Sequence, residues 1–295
     1  MRLLIAGWQG QVAHALMDCA TSRRDVEACA IGRPALDICE VGSIERALGQ
    51  IRPNVIINTA AFTSVDAAED EPERAFALNC EGARLIATIA ERRGVPIIHL
   101  STDYVFDGTS KLAYTETDST EPQTVYGKSK LAGEAAVRAA NPKHIVLRTS
   151  WVYSPYGRNF VKSTLFQARE SKCLRIVGDQ IGSPTYAPHL AEAILGIAAQ
   201  VTGAGGADIP WGVYHAAGTG TASWYDMAKE ILAHLPSGTA TLERIATADY
   251  PTRALRLQNS TLDCTKLAMN FRIALPEWRD GIAECLQQLE KTGPI

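Results

Sequence analysis

The chain has 295 residues, room for one large α/β domain with a smaller lobe. Hydrophobic residues make up 46% and charged residues 21%, the balance of a globular protein, and the formal net charge of −3 gives no electrostatic case for nucleic acid or an anionic membrane surface. No apolar stretch approaches the roughly 20 residues of a membrane span, and the opening MRLLIAGWQGQ lacks a basic segment, apolar core and cleavage site, so a cytoplasmic chain is expected.

LLIAG (3–7) reads as a first strand ending in glycine, and QVAHALMDCA (11–20) as a helix. VEACAIG (26–32) reads as a second strand, VGSIERALGQI (41–51) as a helix and NVIINTA (54–60) as a third strand. Residues 71–94 have the periodicity of one long amphipathic helix ending at Gly94. VPIIHLST (95–102) is a fourth strand, YGKSKLAGEAAVRAA (126–140) a helix and HIVLRTS (144–150) a fifth strand. Apolar runs alternating with helices predict a doubly wound parallel sheet, a Rossmann-type α/β fold with right-handed crossovers.

Beyond residue 150 the rhythm loosens. FVKSTLFQARES (160–171) reads as a helix, LRIVGDQIGSPTY (174–186) as a strand and loop, and HLAEAILGIAAQV (189–201) as a helix. A Gly-rich loop at 203–206 leads to a strand at GVYHAAG (212–218). WYDMAKEILAHL (224–235) is a helix with Thr221 or Ser223 as its cap. The expected organisation is a dinucleotide-binding domain over 1–150, with parts of 151–240 returning to it, and a smaller C-terminal α/β lobe over about 151–295 that binds substrate.

GWQGQVA places Gly7, Gly10 and Ala13 between the first strand and the first helix. Gly7 permits a tight turn, Gly10 lets backbone approach a pyrophosphate, and Ala13 lets helix and sheet pack closely. Backbone around Gln9, Gln11 and Val12 would offer N–H groups to phosphate at the helix N-terminus. The fingerprint points to a dinucleotide. An acid after the second strand would select NAD, but the chain has Arg33 there, which favours the 2′-phosphate of NADPH and leaves NADH open. Asp37 and Ile38 fall near the adenine.

VYGKSK puts Tyr126 and Lys130 one helical turn apart on one face. A cation beside a phenol favours the phenolate and makes the phenol a better acid. Ser101 and Thr102 end the fourth strand, at the sheet edge where ligands of open α/β folds bind, and a hydroxyl there would hold a substrate carbonyl.

With RPNVIINTAAFTSVDAAEDEPERAFALN, HLSTDYVFDG, VYGKSKLAGE, RTSWVYSPYGRNF, DQIGSPT, GVYHAAGTGTASWYDMA and YPTRALRLQNSTLD added to the glycine turn, the chain resembles the extended short-chain dehydrogenase/reductase family. Within it, the chain is most similar to the dTDP-4-dehydrorhamnose reductases. The resemblance runs from residue 3 to about 263. It implies NADPH-dependent reduction of the C4 ketone of a dTDP-sugar. It also implies Thr102 as catalytic hydroxyl, Tyr126 as proton donor and Lys130 as its partner. Ala61, Phe62 and Thr63 would lie along the cofactor with Tyr126 and Lys130, while Thr102, Asp103, Tyr126, Trp151 and Arg256 would meet substrate. Asp103 as a turn former and Trp151 as a core aromatic are the plainer alternatives.

Some members carry His where this chain has Phe62, and R-P-x-x-S where it has Arg256-Leu257-Gln258-Asn259-Ser260. Others dimerise around a metal held by carboxylates, where this chain has Ala15 and, nearby, Pro188. No metal and a monomer or weak homodimer are therefore expected. The seven cysteines form no C-x-x-C pair and read as reduced thiols, and the six histidines have no metal spacing. Two other readings remain: a nucleotide-sugar epimerase or dehydratase on the same fold, and an NADP-binding regulatory subunit like that of methionine adenosyltransferase.

Overall fold

The computed structural model describes residues 1–203, 209–236 and 238–292. Its centre is a parallel sheet of β1 (Arg2–Ala6), β2 (Glu27–Ile31), β3 (Val55–Asn58), β4 (Ile97–Thr102), β5 (His144–Thr149) and a last strand, Gly212–His215. The order across the sheet is Gly212–His215, β5, β4, β3, β1, β2. The chain begins in the interior, winds to the β2 edge and returns past β1 to β3. The crossover direction therefore reverses between β1 and β3, and a crevice opens there at the carboxyl ends of the strands.

Strand alternation divides the core. Leu3, Ile5, Val55, Ile57, Ile98, Ile145 and Leu147 face helix α1 (Gln11–Thr21) and the Ala187–Gly203 helix. Leu4, Ala6, Ile56 and Ile97 face the opposite side, against Ile44, Leu48, Ile86, Ala90 and Val137. Both faces are covered, so the strands read as unbroken apolar runs. The Ala187–Gly203 helix and the Gly212–His215 strand come from the second half of the chain and complete the first layer.

The expected single helix over 71–94 is broken up. A short helix, Val65–Asp70, precedes Pro72–Phe76, a π turn at Ala77–Gly82 and a helix Ala83–Arg92. The wide turn carries Asn79 inward. Asn79 accepts from the Phe62 N–H at 2.7 Å and donates to Phe62 O at 3.0 Å and Ser129 Oγ at 2.9 Å. A long-range demand of one side chain thus overrides local periodicity.

The second lobe packs around Tyr153, Leu165, Tyr186, Met227, Ile231 and Trp278. The Trp224–Ala233 helix takes Ser223 as its cap, in a capping box with Asp226. A parallel pair, Cys173–Val177 with Thr241–Ile245, and the helices Thr265–Phe271 and Trp278–Thr292 complete the chain. Of the expected Gly-rich loop, Gly203 ends a helix and 204–206 lie outside the described residues.

Candidate active site

Gly7 follows β1 with φ of +104°, a conformation that favours glycine, and a Cβ on it would lie 2.6 Å from Thr59 Oγ1. Gly7 N donates to Ile31 O and Thr59 N to Ala6 O, so the turn is tied to both neighbouring strands. Gly10 precedes α1 with no side-chain cap, and a Cβ on it would meet nothing within 4 Å. That open space at an uncapped helix N-terminus fits a pyrophosphate. Gly7, Gln9, Gly10, Arg33, Asp37, Ile38, Ala61 and Thr63 line one cavity there, with Trp8 and Gly32.

The other expected cofactor residues take different places. Gln11 turns its side chain to the second half of the chain, donating to Val152 O and accepting from Ser154 Oγ and Asn159 Nδ2. Only its backbone faces the turn. Val12 packs on the core. Phe62 is fixed by Asn79 and packs beside Val65, Ala75 and Tyr126. Asp37 accepts from Cys39 N and donates its own N–H to Ser43 Oγ, which shapes the entry to the Val41–Ile51 helix.

Tyr126 and Lys130 sit on the buried face of the Val125–Ala140 helix, capped by Thr124. That face lies unusually close to its surroundings. A Cβ on Gly127 would be 2.1 Å from Tyr104 O, and one on Gly133 would be 2.0 Å from Asn79 O. Thr102 ends β4 and donates to Asp103 Oδ1 at 2.9 Å. Burial pushes the Tyr126 phenol above its usual range, and the hydrogen bond with Thr102 pulls it partway back. The sequence-based argument expected the Lys130 cation to set this acidity. Instead Lys130 Nζ donates to Leu100 O at 2.6 Å, and burial brings its ammonium down to about 8, against the pull of Glu134. Burial, the larger effect at both groups, leaves a protonated phenol at neutral pH.

A second cavity, of about 430 Å³, is lined by Tyr104 and otherwise by residues from 151 onward. Trp151 and Arg256 line it with Tyr104, Phe160, Gln180, Trp224 and Ser260. The Tyr104 ring, part of that cavity's wall, lies edge-on to Tyr126 with centroids 5.6 Å apart, whereas Thr102, Tyr126 and Lys130 themselves line neither cavity. Asp103 lies beneath, 2% exposed, with Oδ1 taken by Thr102 and Oδ2 by Ser150 at 2.8 Å. Its carboxyl is raised by burial, and in this structure it braces Thr102 and does not line the cavity. Arg256 Nη2 donates to Asp66 Oδ2 at 2.5 Å.

Sequence reasoning missed Asp66, Tyr104, Trp224 and Ser150. All four stand inside matched stretches, Tyr104 in STDYVFDG, Ser150 in RTSWVY, Asp66 in RPNVIINTAAFTSVDAAEDEPERAFALN and Trp224 in GVYHAAGTGTASWYDMA, but none was singled out. Among the described residues no three His, Cys, Asp or Glu side chains gather to hold a metal ion. No described helix is long and apolar enough to cross a membrane.

The family model described as the RmlD substrate binding domain matches residues 1–291. The chain is 44% identical over 284 residues to a dTDP-4-dehydrorhamnose reductase of Sinorhizobium fredii, covering 95% of each chain. Its fold superposes on the crystal structure of a dTDP-4-dehydrorhamnose reductase from Clostridium acetobutylicum with a TM-score of 0.91, at 33% identity, over 98% of this chain and 100% of the other. The reductase from Bacillus anthracis, solved in complex with NADP, gives 0.90 at 31% identity over 97% and 99%.

Proposed function

The chain belongs to the RmlD substrate-binding-domain family, which includes the dTDP-4-dehydrorhamnose reductases, and from that premise we propose that it reduces the C4 ketone of dTDP-6-deoxy-L-lyxo-4-hexulose with NADPH to give dTDP-L-rhamnose. The observation that carries this reading is that one face of the Val125–Ala140 helix sets Tyr126 against Thr102 at the end of β4 and Lys130 on Leu100 O two residues earlier.

NADPH, when bound, would supply the hydride. Gly7, Gly10 and the first N–H groups of α1 would hold its pyrophosphate, and Arg33 would meet its 2′-phosphate. Thr102 orients the ketone oxygen by turning to it, when substrate binds, the hydroxyl proton that it gives to Asp103 Oδ1 in this structure. Tyr126 gives its phenolic proton to that oxygen as negative charge develops there. Lys130 would hold the nicotinamide ribose and, as a cation, would stabilise the phenolate left behind. Trp151 and Arg256 bind the nucleotide sugar from the second lobe.

We further assign dinucleotide binding mainly to 1–150 and substrate binding mainly to 151–295, with Ala187–Gly203 and Gly212–His215 returning to the first domain. Packing of those two elements on the main sheet supports this division. The proposed setting is the cytoplasm, supported by seven free cysteines. The proposed state is a monomer or weak homodimer, supported by Ala15 where a metal-holding carboxylate would stand.

The test is oxidation of NADPH, followed by its near-ultraviolet absorbance, with the 4-keto sugar made in place by the upstream enzymes. Loss of absorbance with dTDP-rhamnose as product supports the reading. Binding of NADPH without oxidation refutes it.

A further inference from the structure

Contacts between β4 and the Val125–Ala140 helix continue one turn beyond Lys130. There Glu134 accepts from the Ser101 hydroxyl at 2.5 Å. Arg148 clasps both its oxygens, Nε to Oε1 at 2.9 Å and Nη2 to Oε2 at 2.8 Å. Ser101 and Arg148 are register partners across β4 and β5, so their side chains rise on the same face and converge on one carboxylate. Glu134 is 1% exposed and Arg148 4%. A buried ion pair adds little stability over a well-packed apolar pair, so its presence calls for another role.

We propose that Glu134 is a positioning residue for the reduction: clamped by Ser101 and Arg148, its carboxylate keeps the Lys130 ammonium charged and fixed to the end of β4. The proposal rests on the roles assigned above to Tyr126 and Lys130. Three successive β4 residues are engaged in turn by one helix face. Leu100 O takes Lys130, Ser101 gives its hydroxyl to Glu134, and Thr102 meets Tyr126. The helix register thereby sets the distance between phenol and hydroxyl.

Charge follows the same geometry. Burial works against the Lys130 cation, and the Glu134 carboxylate one turn away opposes it. The other titratable groups facing Lys130 are Tyr126 on its own helix and His99 on β4. Burial and Lys130 both lower the His99 imidazole, which stays neutral. Arg148 faces Glu134 from β5, with His215 on the last strand near it, pushed down to about 3 by burial and then by Arg148. None of these neighbours replaces the charge of Glu134.

The test is the pH profile of kcat/KM for Glu134→Gln/Arg148→Met, which removes both charges of the pair, beside Lys130→Met. Loss of the Lys130 proton on the alkaline side is expected to end activity in the wild type. In the double variant that limb is expected about one pH unit lower, and Glu134→Asp with Arg148 intact restores it. A limb that stays at its wild-type position overturns the proposal. If the double variant does not fold, Glu134→Leu/Arg148→Leu replaces the pair by packed apolar side chains, and an unmoved limb there overturns it as well. A Lys130→Met enzyme that retains the wild-type limb overturns the assignment of Lys130, and this proposal with it.

Discussion

The indole of Trp151 lies flat on that of Trp224, with ring centroids 3.6 Å apart and planes 6° from parallel. Trp151 follows β5 in the left-handed region, φ +46°, and its ring fills the space where a Cβ on Gly182 would stand. Trp224 opens its helix and donates its indole N–H to Gln180 Oε1 at 3.1 Å. The stack walls the cavity proposed to take the nucleotide sugar, and only Trp151 was foreseen. Trp224→Ala frees the Trp151 ring and should raise KM for the nucleotide sugar about tenfold while kcat changes less than about threefold. Steady-state kinetics with NADPH saturating decides it. Equal losses in kcat and kcat/KM would place the stack in transition-state contacts instead.

Tyr126→Phe removes one hydroxyl from a buried ring and leaves its packing against Tyr104, Phe62 and Ala75 intact. Turnover should fall about 10²- to 10⁴-fold, the usual worth of a positioned proton donor. Affinity for NADPH, read by calorimetry, should stay within about twofold because Lys130 and the glycine turn are untouched. A variant with near-normal turnover would assign the proton to another group.

Asp66 joins the first layer to the segment before the cavity. It accepts from Arg256 and from Ala254 N at 2.9 Å, while neighbouring Arg253 reaches Asp70 at 2.8 Å. Burial alone would raise the Asp66 carboxyl, but the Ala254 N–H and Arg256 outweigh it and hold it below the usual range. A carboxyl lowered on folding adds stability above the unfolded value, near 4, and loses it as pH falls through the folded value. Asp66→Asn should therefore lower Tm at neutral pH, by no more than about 3 °C because the pair is half-exposed. The difference from wild type should vanish in strong acid. Thermal melts across pH test this, and a gap that persists in acid would mean that packing, not charge, is lost.

How far the sequence discloses this molecule depends on whether the cause is local. β1 to β5 are legible because a sheet covered on both faces needs continuous apolar runs, and Leu3-Leu4-Ile5 or Val55-Ile56-Ile57 supplies them. The π turn is not legible, because it answers to Asn79 meeting Phe62 and Ser129. Thr241–Ile245 escaped notice because only Ile245 is buried, so neither apolar run nor alternation marks it. The Trp278–Thr292 helix does carry a signal, Trp278, Ile282, Cys285 and Leu289 on one face, which the reading passed over. At the site, Thr102, Tyr126 and Lys130 follow from the spacing of short motifs, whereas the Trp151–Trp224 stack, the Asp66–Arg256 pair and the Glu134 clamp, whose residues also stand in matched stretches, are contacts made only once distant segments converge.

Gly10 separates the folding role of the glycine turn from its binding role. Gly7 serves both, since its positive φ and the nearby Thr59 hydroxyl would penalise any side chain. Gly10 has φ of −78° in an extended conformation open to alanine, and a Cβ there touches no atom of the chain. Gly10→Ala should fold with an unchanged Tm in the absence of cofactor. The added methyl occupies the space where backbone and pyrophosphate would approach each other, so NADPH should bind at least about tenfold more weakly, with most of its stabilisation of Tm lost. Paired melts with and without NADPH give both readings at once. Unchanged stabilisation by NADPH would remove the pyrophosphate from the N-terminus of α1, and a lower Tm without NADPH would show that Gly10 is needed for the turn itself.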